Sequence, residues 1–298
     1  MIRKGLFRFV AFLAFSNIFL SFCVTSLVFE TSLALGQTLS GFRYSFFLFS
    51  ATLCLYCFHR LYRFKVHEGP VKLTERHRWI QQHRILFYFI FLSSALCTVW
   101  SLVFSIPWRI LPPLLPIALV SLGYTIPCVP WKGTWIRLRD IAGIKIILIS
   151  MVLGLTTVLL PVLELGGKAS LFQTSIFFVF LRRVCFIFAI TLPFDIRDKD
   201  FDKSQGTATI PVILGNTKAR LLSFLALGIF IILAGIQAGF LHEFPPAYFL
   251  ALTLSALLSG WMIHKSAAGS PDLFYTYGLE GMMLVQCLLV FSAHTFWP

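Results

Sequence analysis

Nine stretches of about twenty mostly apolar residues, separated by short polar connections, set the limits on what this chain can fold into. They cover roughly residues 6–29, 42–61, 85–106, 110–130, 141–163, 169–194, 219–241, 244–263 and 273–297. Inside hydrocarbon, every backbone N–H and C=O must find its partner within the segment, so runs of this length are expected to cross as helices. Hydrophobic residues make up 58% of the chain, charged residues 12%, and mean hydropathy is +0.84, which excludes a soluble globular protein. The expected fold is an all-α polytopic membrane bundle forming a single domain over 1–298. The second and fourth stretches carry the weakest signal. Arg43, His59 and Arg60 flank the second, and Pro112, Pro113, Pro116 and Pro127 kink or delay a helix in the fourth.

The basic residues give an independent check on this layout, because Lys and Arg accumulate on the cytoplasmic side. With the N-terminus inside, 22 of the 25 Lys and Arg fall on inner segments, and only Arg43, Arg109 and Lys168 fall outside. One helix more or fewer scrambles that division, so the N-terminus is expected in the cytoplasm and the C-terminus outside. The net charge of +13 then belongs to an inner surface facing anionic membrane lipids. No compact basic domain exists to carry nucleic acid. The uncharged run Phe9–Phe29 exceeds the ~7–15 residues of a secretory signal core, so the first stretch is expected to stay as an anchor. Cys54 and Cys57 have CxxC spacing but no second pair, and the four histidines between 59 and 83 include no i, i+4 pair. Neither set is expected to bind metal.

Acid is scarce, with 12 Asp and Glu in 298 residues, yet Asp195, Asp198, Asp200 and Asp202 crowd the end of the sixth stretch. At 100° per residue, Asp195, Asp198 and Asp202 share an arc of about 60°, while Asp200 points about 140° away. Like charges on one face near a helix C-terminus are costly without a cation. Mg2+ takes one or two carboxylates together with waters and phosphate oxygens, so the cluster reads as a diphosphate site at a membrane surface. The bland alternative is a solvated loop neutralised by Arg197, Lys199 and Lys203.

After the acids the chain reads Lys203-Ser-Gln-Gly206-Thr-Ala-Thr209-Ile-Pro211-Val-Ile-Leu-Gly215. DxxDxxxD followed by this Gly, Thr-Ile-Pro-Val, Gly order resembles the second aspartate-rich motif of the UbiA superfamily of intramembrane prenyltransferases. Ser16-Asn17, Tyr124, Leu138-Arg139 and Lys145 also fall where members carry similar residues. The resemblance implies a nine-helix bundle around a central cavity in which a prenyl diphosphate is held through Mg2+ and its prenyl group passes to a membrane-soluble acceptor, either an aromatic ring or a lipid. It further implies that Asp195, Asp198 and Asp202 hold the metal. The cytoplasmic (inner) membrane of a bacterium is the expected location.

The chain departs from that family at the inner end of the second stretch, where members carry a first aspartate motif. Here the sequence is Tyr56-Cys-Phe-His59-Arg60-Leu-Tyr-Arg63, without a carboxylate, and Tyr124 is followed four residues on by Cys128 rather than Lys. His59 with Arg63, and Arg60 with Arg63, have helical spacing, and guanidinium binds phosphate oxygens directly. A hybrid site is therefore expected, with Arg60, Arg63, Lys199 and Lys203 steadying the diphosphate. Tyr124 and Lys145 are further cavity candidates. So are Arg182, Arg183 and Glu280, because charges at mid-membrane face a cavity or each other, and an Arg182 or Arg183 pair with Glu280 is expected. Loss of the first motif also fits a non-catalytic relative that binds an isoprenoid lipid or a partner protein. Transport lacks an internal repeat, and the CDP-alcohol enzymes' DGxxAR element does not precede Asp195.

Overall fold

The computed structural model describes residues 2–36, 42–66, 75–164, 173–267 and 269–296, and, within these, all side chains except those of 2–4, 42–43 and 63–66. Helices occupy all nine expected places. In chain order they are α1 (Ile2–Phe15), α2 (Ile18–Ala34), α3 (Phe42–Val66), α4 (Glu75–Gln82), α5 (Arg84–Phe104), α6 (Leu111–Gly123), α7 (Ile144–Glu164), α8 (Thr174–Ser204), α9 (Ile210–Leu214), α10 (Asn216–Gly239), α11 (Pro246–Lys265) and α12 (Gly281–Phe296). A π-helical segment, Phe274–Glu280, leads directly into α12. Among the described residues, six helices are long and apolar enough to cross a membrane, and the bent pair α1 and α2 raises this to seven, against the nine crossings expected. The chain is a multi-pass membrane protein. On α5, Ile85, Phe89, Leu96 and Val103 are exposed on the outside of the bundle, where acyl chains can cover them.

Two of the expected spans are not the single continuous helices read from hydropathy. The first breaks at Ser16 and Asn17, and its halves meet at 62°. Asn17 takes a left-handed backbone, φ 65°, which Asn tolerates better than most residues, and its Nδ2 lies 3.8 Å from Cys57 Sγ on α3. The fourth, expected to reach residue 130, ends as a helix at Gly123 and continues into a small antiparallel hairpin, Val129–Trp131 with Thr134–Ile136. Proline explains where that helix begins, because Pro112 and Pro113 occupy its first turn, where a missing N–H costs little. A side chain at Gly123 would come within 2.8 Å of Cys128 Sγ, so the turn after it closes only around glycine.

α2 runs through the middle of the bundle and packs on α3, α7 and α12, while α8 packs on α7 and α10. Cys23, Val24 and Leu27 of α2 meet Phe186, Ile187 and Ile190 of α8 and Met283 and Val290 of α12 in one buried core. An ion cluster crosses that core, and it corrects the expected pairing of Arg182 and Arg183 with Glu280. Both arginines pair with Glu30 of α2, Arg182 Nη2 at 3.3 Å, and Tyr248 Oη of α11 donates to the same carboxylate at 2.9 Å. Arg183 also donates to Leu27 O at 2.9 Å and Thr31 Oγ1 at 3.0 Å. The rings of Phe230, Phe244 and Tyr248 surround the Arg182 guanidinium at 5.8 to 5.9 Å. Buried charge demands a hydrogen-bonded counter-charge within reach, and α2 supplies one against this face of α8. Arg182 and Arg183 accordingly belong to the core and do not line the cavity.

Candidate functional site

The second half of α8 carries the acidic motif, and the residues after it explain why the helix stops there. Gly206 adopts φ 69°, Gly206 N–H bonds to Lys203 O at 3.1 Å, and Thr207 N–H bonds to Asp202 O at 2.9 Å. This pair of bonds is a Schellman cap, which needs glycine at the left-handed position. Pro211 then sits in the first turn of α9, and Gly215, φ 83°, turns the chain into α10. The two glycines and the proline of this order are thus spent on backbone geometry. One further bond, Gly143 N–H to Ala208 O at 2.8 Å, ties this turn to the start of α7 and brings Lys145 against the motif.

A cavity of about 1120 Å3 opens beside the motif. Its inner wall is apolar, with Leu20 of α2, Leu148, Ile149, Val152 and Leu153 of α7, Ile187 and Ile190 of α8, and Met283 of α12. Its other end is charged. Asp195, Asp198 and Asp200 line it together with Arg60, Arg76, Arg139, Lys145 and Arg197, and Asp272 and Glu280 contribute from the last helix.

The carboxylates are already distributed among basic partners. Lys145 Nζ lies 2.7 Å from Asp195 Oδ1 and 3.0 Å from Asp202 Oδ2, so one ammonium joins the first and last acids of the motif. Asp198 takes Arg197 Nε on Oδ1 at 2.8 Å and Nη2 on Oδ2 at 3.3 Å. Arg197 extends the network by donating Nη1 to Asp272 Oδ1 at 3.0 Å, and it lies over the Tyr275 ring at 4.6 Å. Asp272 Oδ2 accepts the Arg76 backbone N–H at 3.1 Å, and Arg76 Nη2 donates to Thr276 Oγ1 at 2.5 Å. The short helix α4 is thereby fastened over the cavity to the start of the last helix. On the opposite wall, His59 Nε2 lies 3.4 Å from Ser121 O, and Arg139 stacks on Tyr124 at 5.2 Å. Burial works against the Arg139 charge, but Tyr124, Asp202, Asp140 and Asp195 more than restore it, so its pKa is raised and it stays cationic.

Of the sequence-derived site residues, the structure gathers Asp195, Asp198, Arg60, Tyr124, Lys145 and Glu280 around the one cavity. Asp202 is buried against Lys145 and does not line it, and Asp200, placed on the far side of an ideal helix, does. Lys199 and Lys203 lie outside the wall, Lys203 being exposed, and the Arg63 side chain lies outside the described residues. Sequence reasoning missed Arg76, Arg197 and Asp272 as site residues. Arg197 stood inside the motif and was visible. Arg76 was one of seven basic residues between 59 and 84, with nothing to single it out.

Among the described residues no three His, Cys, Asp or Glu side chains group so as to hold an ion. The expected three-carboxylate site is reduced to two. Asp195 Oδ2 is buried with no hydrogen-bond partner, and Asp198 faces the same cavity. Such an oxygen donor pair suits a divalent cation that completes its shell with water and phosphate oxygens, so the residues present fit one Mg2+.

No family model matches the chain, and no characterised protein matches it by sequence. Solved structures do. It is similar to the apo structure of a UbiA homolog from Aeropyrum pernix K1, with TM-score 0.56 and 15% identity over 92% of this chain and 94% of that one. A digeranylgeranylglyceryl phosphate synthase superposes with TM-score 0.57 and 14% identity over 96% of both chains. A UbiA homolog from Archaeoglobus fulgidus bound to Cd2+ gives 0.55 and 15% over 94% and 98%.

Proposed function

We propose that this chain, which has the UbiA-type fold, transfers a prenyl group from a prenyl diphosphate to an acceptor dissolved in the membrane, with Mg2+ as its cofactor. The observation that carries this function is the division of this cavity into an apolar wall and an end where Asp195 and Asp198 face several guanidinium groups. A prenyl diphosphate is divided in the same way. Asp195 and Asp198 would hold Mg2+, whose chemistry there is to neutralise charge on the departing diphosphate. Arg60, Arg76 and Arg139 offer planar N–H forks to phosphate oxygens, replacing the carboxylates that α3 lacks. Lys145 holds Asp195 and Asp202 at a fixed spacing, and so orients Asp195 without occupying its second oxygen. The apolar wall keeps water from the allylic carbon, so that the acceptor rather than solvent takes the prenyl group.

Binding without turnover is the second function, and the Lys145 bridge favours it, because an ammonium already satisfies two of the three motif acids. Purified protein in lipid nanodiscs with geranylgeranyl diphosphate separates these outcomes. Prenyl transfer requires Mg2+-dependent diphosphate release that disappears in Asp198→Ala. Retention without release establishes the binding protein, and neither retention nor release overturns both.

A further inference from the structure

Glu280 ends the π-helical segment Phe274–Glu280 and lines the cavity two turns along the last helix from Asp272. Its Oε2 is buried without a hydrogen-bond partner, and among the described residues it forms no ion pair. Thr276, one turn earlier, sits beside the carboxyl, and the charges of Arg76, Arg60 and Arg197 act on it. A buried acceptor atom without a partner is costly unless something brings it a donor. The π turn supports the same conclusion, since such irregular turns recur where a helix must aim a side chain into a site.

Position along the last helix sets Glu280 apart from Asp272 and the Asp198 pair. Asp272 is fixed to Arg197, the neighbour of Asp198. Glu280 lies eight residues further along the same helical run, on the order of 10 Å from Asp272. Tyr56 and Arg60 of α3, Arg76 of α4 and Arg197 of α8 are near enough to act on it electrostatically, yet none forms an ion pair with it. A diphosphate has no donor to give this carboxylate, and the isoprenoid chain has none either. The molecule that remains is the acceptor.

We infer that Glu280 is the acceptor-recognition residue, taking a hydrogen bond from an O–H or N–H on the acceptor at a point remote from its attacking atom. This rests on the prenyl-transfer function proposed above. It makes the acceptor a hydroxyl- or amine-bearing hydrophobic molecule, and it disfavours one that presents a carboxylate, because two carboxylates repel in a low-dielectric cavity.

Two aromatic probes of similar size test the assignment: methylhydroquinone and 4-hydroxybenzoate, each supplied with geranylgeranyl diphosphate and Mg2+ to the full chain in nanodiscs. The wild type is expected to use methylhydroquinone at least about tenfold better by kcat/KM, the scale of one charge-assisted hydrogen bond. Glu280→Gln is expected to raise the methylhydroquinone KM about tenfold with a smaller change in kcat, and to narrow the preference between the probes. Its thermal melting reports whether it is folded, and the wild-type preference stands as a measurement that needs no variant. Equal use of the two probes, or an unchanged KM in a folded Glu280→Gln, overturns the assignment. So does a wild type that releases diphosphate yet prenylates neither probe. A wild type that neither retains nor cleaves the diphosphate instead refutes the prenyl-transfer function beneath it.

Discussion

Replacing Lys145 with methionine removes the ammonium that bridges Asp195 and Asp202 while keeping the volume of the side chain. The Lys145 side chain is 11% exposed, Asp195 2% and Asp202 3%, so solvent screens neither contact appreciably. At an effective dielectric constant of about 20, charges separated by 2.7 and 3.0 Å attract with ~6 kcal/mol each before desolvation is counted. Desolvation of three buried ions offsets most of that gain, and the measurable quantity is the cost of stranding the survivors, ~3–5 kcal/mol when a buried pair loses one partner. A shift in Tm on the order of 10 °C should follow. A double-mutant cycle with Asp195→Asn gives the pairwise part, because the second change removes one of the stranded charges and should recover at least ~1 kcal/mol. Added Mg2+ should raise the Tm of Lys145→Met more than that of the wild type, since the freed carboxylates can then take a cation. A loss below ~1 kcal/mol with no coupling in the cycle would refute the claim that Lys145 holds the motif together.

Glu30→Gln should destabilise the folded chain by about 3 kcal/mol, read by thermal melting, because it leaves Arg182 and Arg183 buried without an anion. It should do so without touching the cavity wall. Arg197→Lys keeps the charge but loses the fork that spans Asp198 and Asp272, and geranylgeranyl diphosphate retention should fall about tenfold in a filter-binding assay. Gly206→Ala forces a Cβ into a left-handed cap and should cost ~1 kcal/mol in the same melting assay.

The bundle was legible because its signals are physical and repeated: a helix stands at every apolar stretch long enough to cross. Hydropathy does not register backbone breaks, and so the Asn17 kink and the early end of α6 at Gly123 were hidden inside runs that look continuous. The carboxylate cluster was legible for its rarity in a chain poor in acid, yet the ideal-helix arc put Asp202 in the cavity and Asp200 outside it, the reverse of their places in the folded chain. Partner choice was not legible, because it depends on which helices become neighbours. Glu30 lies far in sequence from Arg182 and Arg183, and Lys145 far from Asp202. Only the packing of α7 on α8, and of α2 on α7, brings these pairs together. The cationic wall has the same origin, since α3 and the segment before α7 each contribute one arginine to it and α4 contributes two, Arg76 and Arg78.

The proposed function requires the isoprenoid chain to occupy the apolar wall of this cavity while its diphosphate meets Asp195 and Asp198. A benzophenone-bearing prenyl diphosphate, photolysed on the protein in nanodiscs with Mg2+ and mapped by peptide mass spectrometry, measures this directly. The account requires cross-links on residues 148–153 of α7 and 187–191 of α8, displaced by unlabelled geranylgeranyl diphosphate. Labelling confined to outward residues such as Ile85, Leu96 and Val103, and undiminished by the competitor, would contradict it.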